Sequence, residues 1–246
     1  MKWKKQILIF TGASSLIILS IIIYVYYFSN PSEFPSDRNL VSEMNQLYPE
    51  ANVSKIQDTV IIDEKHIFVP FISNDDLYGT SFWEWKKRRW EPISINSVGE
   101  PRIWMINKSN PSTYHLVWNI HPDDKMNYFK FYLIQDRSYH ITLGVHNYQP
   151  RIQMEKKITF EGDTYGTMQL PKDWSSIIDS LEKVSSNNFF LTGDFFQNKD
   201  FYFGWNPYGH SNKEYFPERS VNGISFSTGG IFEHVSILSE EGLELP

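Results

Sequence analysis

Residues 7–28, ILIFTGASSLIILSIIIYVYYF, form an apolar run without a single charge and without a polar face. A helix of that length, at about 1.5 Å per residue, spans roughly 33 Å, against a bilayer hydrocarbon core of about 30 Å. The hydroxyls of Thr11, Ser14, Ser15 and Ser20 can bond back to helix carbonyls. Tyr24, Tyr26 and Tyr27 gather at the far end, where amphipathic rings suit the headgroup layer. The next pattern is different. In NLVSEMNQLYPEA the positions Leu40, Val41, Met44, Leu47 and Tyr48 share one helical face, with Asp37 or Asn39 as cap and Pro49 as stop.

From about residue 53 the period becomes two. Strands are expected at 59–62 and 66–71, and at 101–107 and 113–120 around Ser109-Asn110-Pro111-Ser112. A hairpin is expected from 128–134 and 138–145, turning at Gln135-Asp136-Arg137, with Tyr139, Ile141, Leu143 and Val145 on one apolar face. Strands at 151–160 and 165–170 follow. A second helix is then predicted, with Trp174, Ile177, Ile178, Leu181 and Val184 on one stripe, Asp173 as N-cap and Ser185 to Asn188 as a polar exit. Strands return at 189–192, 195–197, 200–205, 223–227 and 231–237, punctuated by Thr192-Gly193-Asp194 and Gly229-Gly230. No repeat of fixed period is present. The expected fold is α+β and β-rich, antiparallel sheet with two packed helices, preceded by one N-terminal transmembrane helix.

Lys2, Lys4 and Lys5 precede the apolar run and set its orientation, N-terminus in the cytoplasm. The chain is accordingly divided into a basic cytoplasmic tail (1–6), a signal-anchor (7–28), a linker containing Pro31 and Pro35 (29–38) and a single extracytoplasmic domain (39–246). A cleaved signal peptide fits less well. The run exceeds the usual apolar region of about 7–15 residues, and bulky Tyr27 and Phe28 leave no small-x-small cleavage site. So short a tail excludes a cytoplasmic kinase or DNA-binding module, and one span excludes a multi-span transporter.

Composition refines this picture. Hydrophobic residues are 41% and aromatics 16% of 246, enough for a sizeable core. The chain has no Cys, which removes disulfides, thiolate metal sites, Cys nucleophiles and lipidated-Cys anchors. A Cys-free exterior domain fits a bacterial envelope. Three of the 23 Lys and Arg precede residue 29 and none of the 29 Asp and Glu does, so the remainder carries −9. Such a domain is a poor general nucleic-acid binder. The expected partners are the membrane, through residues 7–28, and an envelope polymer or another membrane protein.

Candidate chemistry is sparse. HExxH, GxSxG, GxGxxG and Walker motifs are absent, and no cofactor or metal is expected. In Trp83-Glu84-Trp85-Lys86-Lys87-Arg88-Arg89-Trp90-Glu91, four cations stand between indoles. Lys86, Lys87, Arg88 and Arg89 are candidates for gripping an anionic envelope polymer or lipid headgroups; the plainer reading is a solvated hairpin turn over buried Trp. The aromatic stretch after residue 188 contains Trp205-Asn206-Pro207-Tyr208-Gly209-His210, which reads as an exposed loop and makes Trp205, Tyr208 and His210 candidates for stacking on a glycan. His121-Pro122-Asp123-Asp124 offers a base or a metal ligand, although surface His and capping Asp explain it as well; Asn74-Asp75-Asp76 reads as turn chemistry. No carboxylate pair stands out as catalytic. The function expected is a single-pass envelope protein whose non-catalytic exterior domain binds a protein partner or surface polymer. The alternative is a membrane-tethered hydrolase of cell-wall glycan or peptide.

Overall fold

The computed structural model describes residues 3, 12–21, 24, 26, 29–142, 144–160, 162–192 and 201–244. Residues 12–21 are helical (α1). They are followed by α2 (Asp37–Leu47), β1 (Val53–Ile56), β2 (Val60–Asp63), β3 (His66–Ser73), β4 (Tyr78–Lys86), β5 (Arg89–Asn96), β6 (Arg102–Met105), β7 (Tyr114–Asn119) and β8 (Met126–Gln135). The chain continues through β9 (Ser138–Thr142), β10 (Val145–Gln149), β11 (Ile152–Thr159), β12 (Tyr165–Gln169), α3 (Lys172–Thr192), β13 (Tyr202–Gly209), β14 (Ser225–Ser227) and β15 (Phe232–Ile237). The fold is α+β, rich in strands and dominated by antiparallel pairing. Among the described residues no helix is long and apolar enough to cross a membrane. Of the expected span 7–28, residues 12–21, 24 and 26 are described.

The sequence of β3, His-Ile-Phe-Val-Pro-Phe-Ile-Ser, is almost continuously buried because its sheet is covered on both faces. This first sheet runs β1–β3–β4–β5–β14, with β2 beside the opening half of β3. Ile67, Val69, Phe71, Trp83 and Ile95 pack under Leu40 and Met44 of α2. On the opposite face, Phe68, Phe82 and Ile93 meet Trp104 and Val117 of the second sheet. That sheet runs β11–β8–β13–β15–β6–β7–β12, with β13 and β15 parallel. Its far face gathers Ile103, Leu116, Phe129, Phe131, Phe203 and Trp205 around Trp174 and Ile178 of α3. The layers are thus α2, sheet, sheet and α3. The chain passes from the first sheet to the second twice, between β5 and β6 and again at Thr228-Gly229-Gly230, where Gly230 takes φ of 75°.

Several expectations are corrected. The hairpin of 128–134 with 138–145 does not form. Instead β8 pairs with β11 and β13, and β9 pairs with β10. The strands reverse between the paired Thr142 and Val145, where Gly144 has φ of 78°; Leu143 lies outside the described residues. Helix α3 continues through Ser185–Asn188 to Thr192, replacing the expected polar exit and the strand at 189–192. The strand expected at 195–197 lies outside the described residues. Ser36, rather than Asp37 or Asn39, is the N-cap of α2, and no side chain caps it. Strands β1 and β10 give weak sequence signals and were not anticipated.

Polar groups join the two sheets. The Asn119 Nδ2 amide faces the Gln57 side-chain oxygen at 2.7 Å and the carbonyls of Gly79 and Phe71 at 2.8 and 3.3 Å. Its Oδ1 accepts from the Thr164 hydroxyl at 3.0 Å, and that hydroxyl accepts from Gln57 Nε2 at 2.9 Å. Gly99 passes so close that a Cβ there would lie 2.0 Å from the Asn119 carbonyl oxygen. Asn119→Ala leaves buried carbonyls unanswered and is expected to cost about 3 kcal/mol, lowering the melting temperature by roughly 5–10 °C. Gly99→Ala should destabilise at least as much through the backbone clash. Denaturation of the full chain in detergent, followed by circular dichroism, measures both; unchanged transitions would show that this junction does not hold the sheets together.

Candidate functional site

Strands β4 and β5 are joined by a two-residue turn. Lys86 faces Arg89 in register, and Lys87 and Arg88 take φ of 52° and 65°. This turn geometry follows the right-handed twist of the strands and favours Asn-Gly. A long side chain in the left-handed region costs about 1–2 kcal/mol. All four cations are exposed. Lys86 pairs with Glu84 at 3.4 Å and Arg89 Nε with Glu91 at 2.5 Å, whereas among the described residues no acid pairs with Lys87 or Arg88. The Arg89 guanidinium is held above its usual range, first by its hydrogen bond to Glu91 and that carboxylate's charge, with smaller contributions from Glu43 and Tyr26.

Beneath the tip the indoles are buried: Trp83, Trp85 and Trp90 are 0%, 8% and 7% exposed. Trp85 and Trp90 face each other across the strands, edge to face at 5.6 Å. The Trp85 indole N–H donates to the Ser29 carbonyl and that of Trp90 to the Ser32 carbonyl, each at 3.0 Å. Phe34 sits edge-on to Trp83 and Trp90, with centroids 5.6 and 5.0 Å away. The indoles are therefore committed to the segment after residue 28 and present no free face to a ligand. That segment, expected as a spacer, lies against the tip end of the hairpin.

Trp205 and Tyr208 are not in a loop. Strand β13 runs to Gly209 in register with β8, overriding the Asn-Pro-Tyr-Gly turn signal. Trp205 is buried against Phe129, and Tyr208 stacks on Tyr128 at 4.7 Å and donates to Glu240 at 2.9 Å. Burial and the Glu240 hydrogen bond push the Tyr208 hydroxyl far above its usual range. Only His210 of this trio is exposed, so the glycan-stacking expectation loses its platform.

The acids and His121 do converge, on a cluster that brings in partners with no sequence signal. His121 is buried at the end of β7. Its Nδ1 accepts from the Asp123 backbone N–H at 3.0 Å, so Nε2 carries the proton and donates to the Asp76 carbonyl at 3.0 Å. Asp76, His121 and Asp123 bring their ligand atoms within 4.8 Å of one another. Arg219 fills the charge requirement of the group: its guanidinium donates to Asp123 Oδ2 at 2.8 Å and to Asp76 Oδ2 at 3.1 Å. Its backbone N–H donates to Asp124, which also accepts from the Ser220 hydroxyl. The Tyr78 hydroxyl lies beside them, pushed up by burial and then by Asp76 and Asp123. The geometry is that of a clasp tying three loops, with the Arg219 guanidinium shared between two carboxylates. Asp76 was read as turn chemistry, and Arg219 stands alone in sequence.

Along the outer face of α2, Asn39, Ser42, Glu43, Gln46 and Leu47 line a shallow groove of about 330 Å³. In comparisons with protein-family models, curated proteins and solved structures, nothing matches this chain.

Two outcomes are expected here. Lys87→Asn with Arg88→Gly should stabilise the fold by about 1 kcal/mol, a rise of roughly 2–4 °C, because the turn then holds residues suited to positive φ. A fall in melting temperature would mean that the cations stabilise the tip. Arg219→Ala should melt a few degrees lower and gain a dependence on millimolar Ca²⁺ or Zn²⁺, whereas the unaltered chain should not respond. A cation response of the unaltered chain would make the cluster a metal site rather than a clasp.

Proposed function

We propose that the protein is a single-pass membrane-anchored envelope protein whose extracytoplasmic domain binds a protein partner without catalysis. The observation that carries the anchoring is α1: residues 12–21 are helical and every one is exposed, Leu16, Ile17, Ile18, Leu19 and Ile21 between 53% and 66%. They have no place in any of the three core clusters. A contiguous apolar surface of this kind in water promotes aggregation, and burial in lipid removes that liability. The three lysines before the run orient the domain outward, on a bacterial cell surface.

The binding element is the β9–β10 hairpin. It pairs with no other strand among the described residues, and two-stranded hairpins are marginal alone. Tyr139 stands opposite Tyr148, and Ile141 opposite His146, so these four share one face. Tyr139, Ile141 and Tyr148 are 59%, 56% and 62% exposed, an aromatic and aliphatic surface of the composition that anchors protein interfaces. The clasp gives no particular support to a hydrolase, because Arg219 and Ser220 already bind Asp76, Asp123 and Asp124 there.

Protease treatment of intact cells should remove residues 29–246 and leave the anchor in the membrane; a protected domain would contradict the topology. A photo-crosslinking residue at Ile141 should yield one discrete protein adduct in cells, and one at Ser176, exposed on α3, should not. Absence of an adduct at Ile141 would remove the hairpin as the partner surface.

A further inference from the structure

We infer that the β4–β5 tip, Lys86 to Arg89, contacts anionic phospholipid headgroups and seats the domain on the membrane that holds its anchor. The inference rests on the anchored topology proposed above. The two indole hydrogen bonds fix the geometry. Ser29, the first residue after the apolar run, is held by Trp85, which immediately precedes Lys86. Strand residues advance about 3.4 Å each, so the turn lies roughly 7 Å along the strand from Trp85. The headgroup layer is itself about 5–8 Å deep. Ser29 directly follows the apolar run, so the four cations lie within about 7 Å of the point where the chain leaves it, which is within reach of headgroup phosphates.

Chemistry and charge agree with this placement. Lys87 and Arg88 have no acid partner among the described residues, and phosphate diesters supply one, with the Arg fork suited to two phosphate oxygens. The strained turn is what a functional constraint leaves: Asn-Gly would satisfy the backbone but remove the charges. The net charge of −9 on residues 29–246 does not oppose the contact. Screening limits interactions to about 8 Å at physiological salt, so a headgroup at the tip senses the local cations and not the acids across the domain. Nor does the tip reverse the orientation signal of Lys2, Lys4 and Lys5, because that rule counts charges within about 15–20 residues of the span. The Asp76–His121–Arg219 clasp sits at the opposite end of β4, about 26 Å from the tip.

The test uses the full chain in nanodiscs of phosphatidylcholine alone or with phosphatidylglycerol, and reads lysine acylation by mass spectrometry. Lys86 and Lys87 should be modified about fivefold or more slowly with the anionic lipid, following the roughly fivefold attraction expected per cation near such a surface. High salt should abolish the difference, and exposed Lys125, at the clasp, should show none. In Lys87→Asn, Arg88→Gly the protection of Lys86 should disappear while the chain remains folded and integrated. Equal rates in both lipids, with the chain integrated, overturn the inference and leave the anchoring intact. Equal protection by soluble polyglycerol phosphate in pure phosphatidylcholine discs overturns the lipid assignment in favour of a polymer. A chain that fails to integrate overturns the anchoring and this inference together.

Discussion

Stacking one sheet on another buries backbone carbonyls at the sheet ends in an apolar layer, and the Asn119 carboxamide answers those of Gly79 and Phe71 from across the junction. The layered fold depends on this contact. Gln57, Asn119 and Thr164 close a ring of hydrogen bonds between β7 and the two loops beside it. The same seam aligns the sheets. His66, at the start of β3, packs on Trp104, which pairs with His115 near the start of β7, and Asn119 ends β7 beside Phe71, so β7 and β3 run in the same direction. Phe68, Phe82, Trp104 and Val117 then fill the space between them.

That alignment gives the molecule two chemically different ends. At one, Arg219 gathers Asp76 and Asp123 over the buried His121, which ties the loops after β3 and β7 to the 217–222 segment. At the other, Trp85 and Trp90 hold Ser29 and Ser32, and four cations project beyond them. The clasp has paired its cation, Arg219, with two carboxylates of its own. The hairpin tip differs: its strained turn keeps Lys87 and Arg88 where a better turn sequence would place neither. Local inconsistency of this kind, in a domain otherwise well packed, is where function is expected.

Much of the architecture was legible in the sequence. Alternation located β3, β7, β8 and β11, and the stripe Trp174–Ile178 located α3, because faces buried against one layer impose a period. The β8–β9 connection was misread because Gln135-Asp136-Arg137 resembles a turn, while the actual reversal depends on Gly144 at positive φ. Trp205 and Tyr208 were misread as exposed because Pro207 and Gly209 punctuate a strand that tertiary pairing with β8 carries through. The charged tip was visible as a run of cations. What could not be read was its proximity to Ser29, a contact across 56 residues. The clasp was hidden for the same reason, since Asp76 and Arg219 are brought together only by the fold.

The central claim is that the hairpin tip lies at the membrane surface. The chain has no Cys, so Lys87→Cys in the full chain carries a single nitroxide. Power-saturation electron paramagnetic resonance in phosphatidylglycerol-containing bilayers then measures its depth, with a label at Lys125→Cys as the solvent reference. The label at position 87 should sit within the headgroup layer, about 5–8 Å from the hydrocarbon boundary, and the reference well beyond it. Identical, fully aqueous accessibility at the two positions would contradict the account.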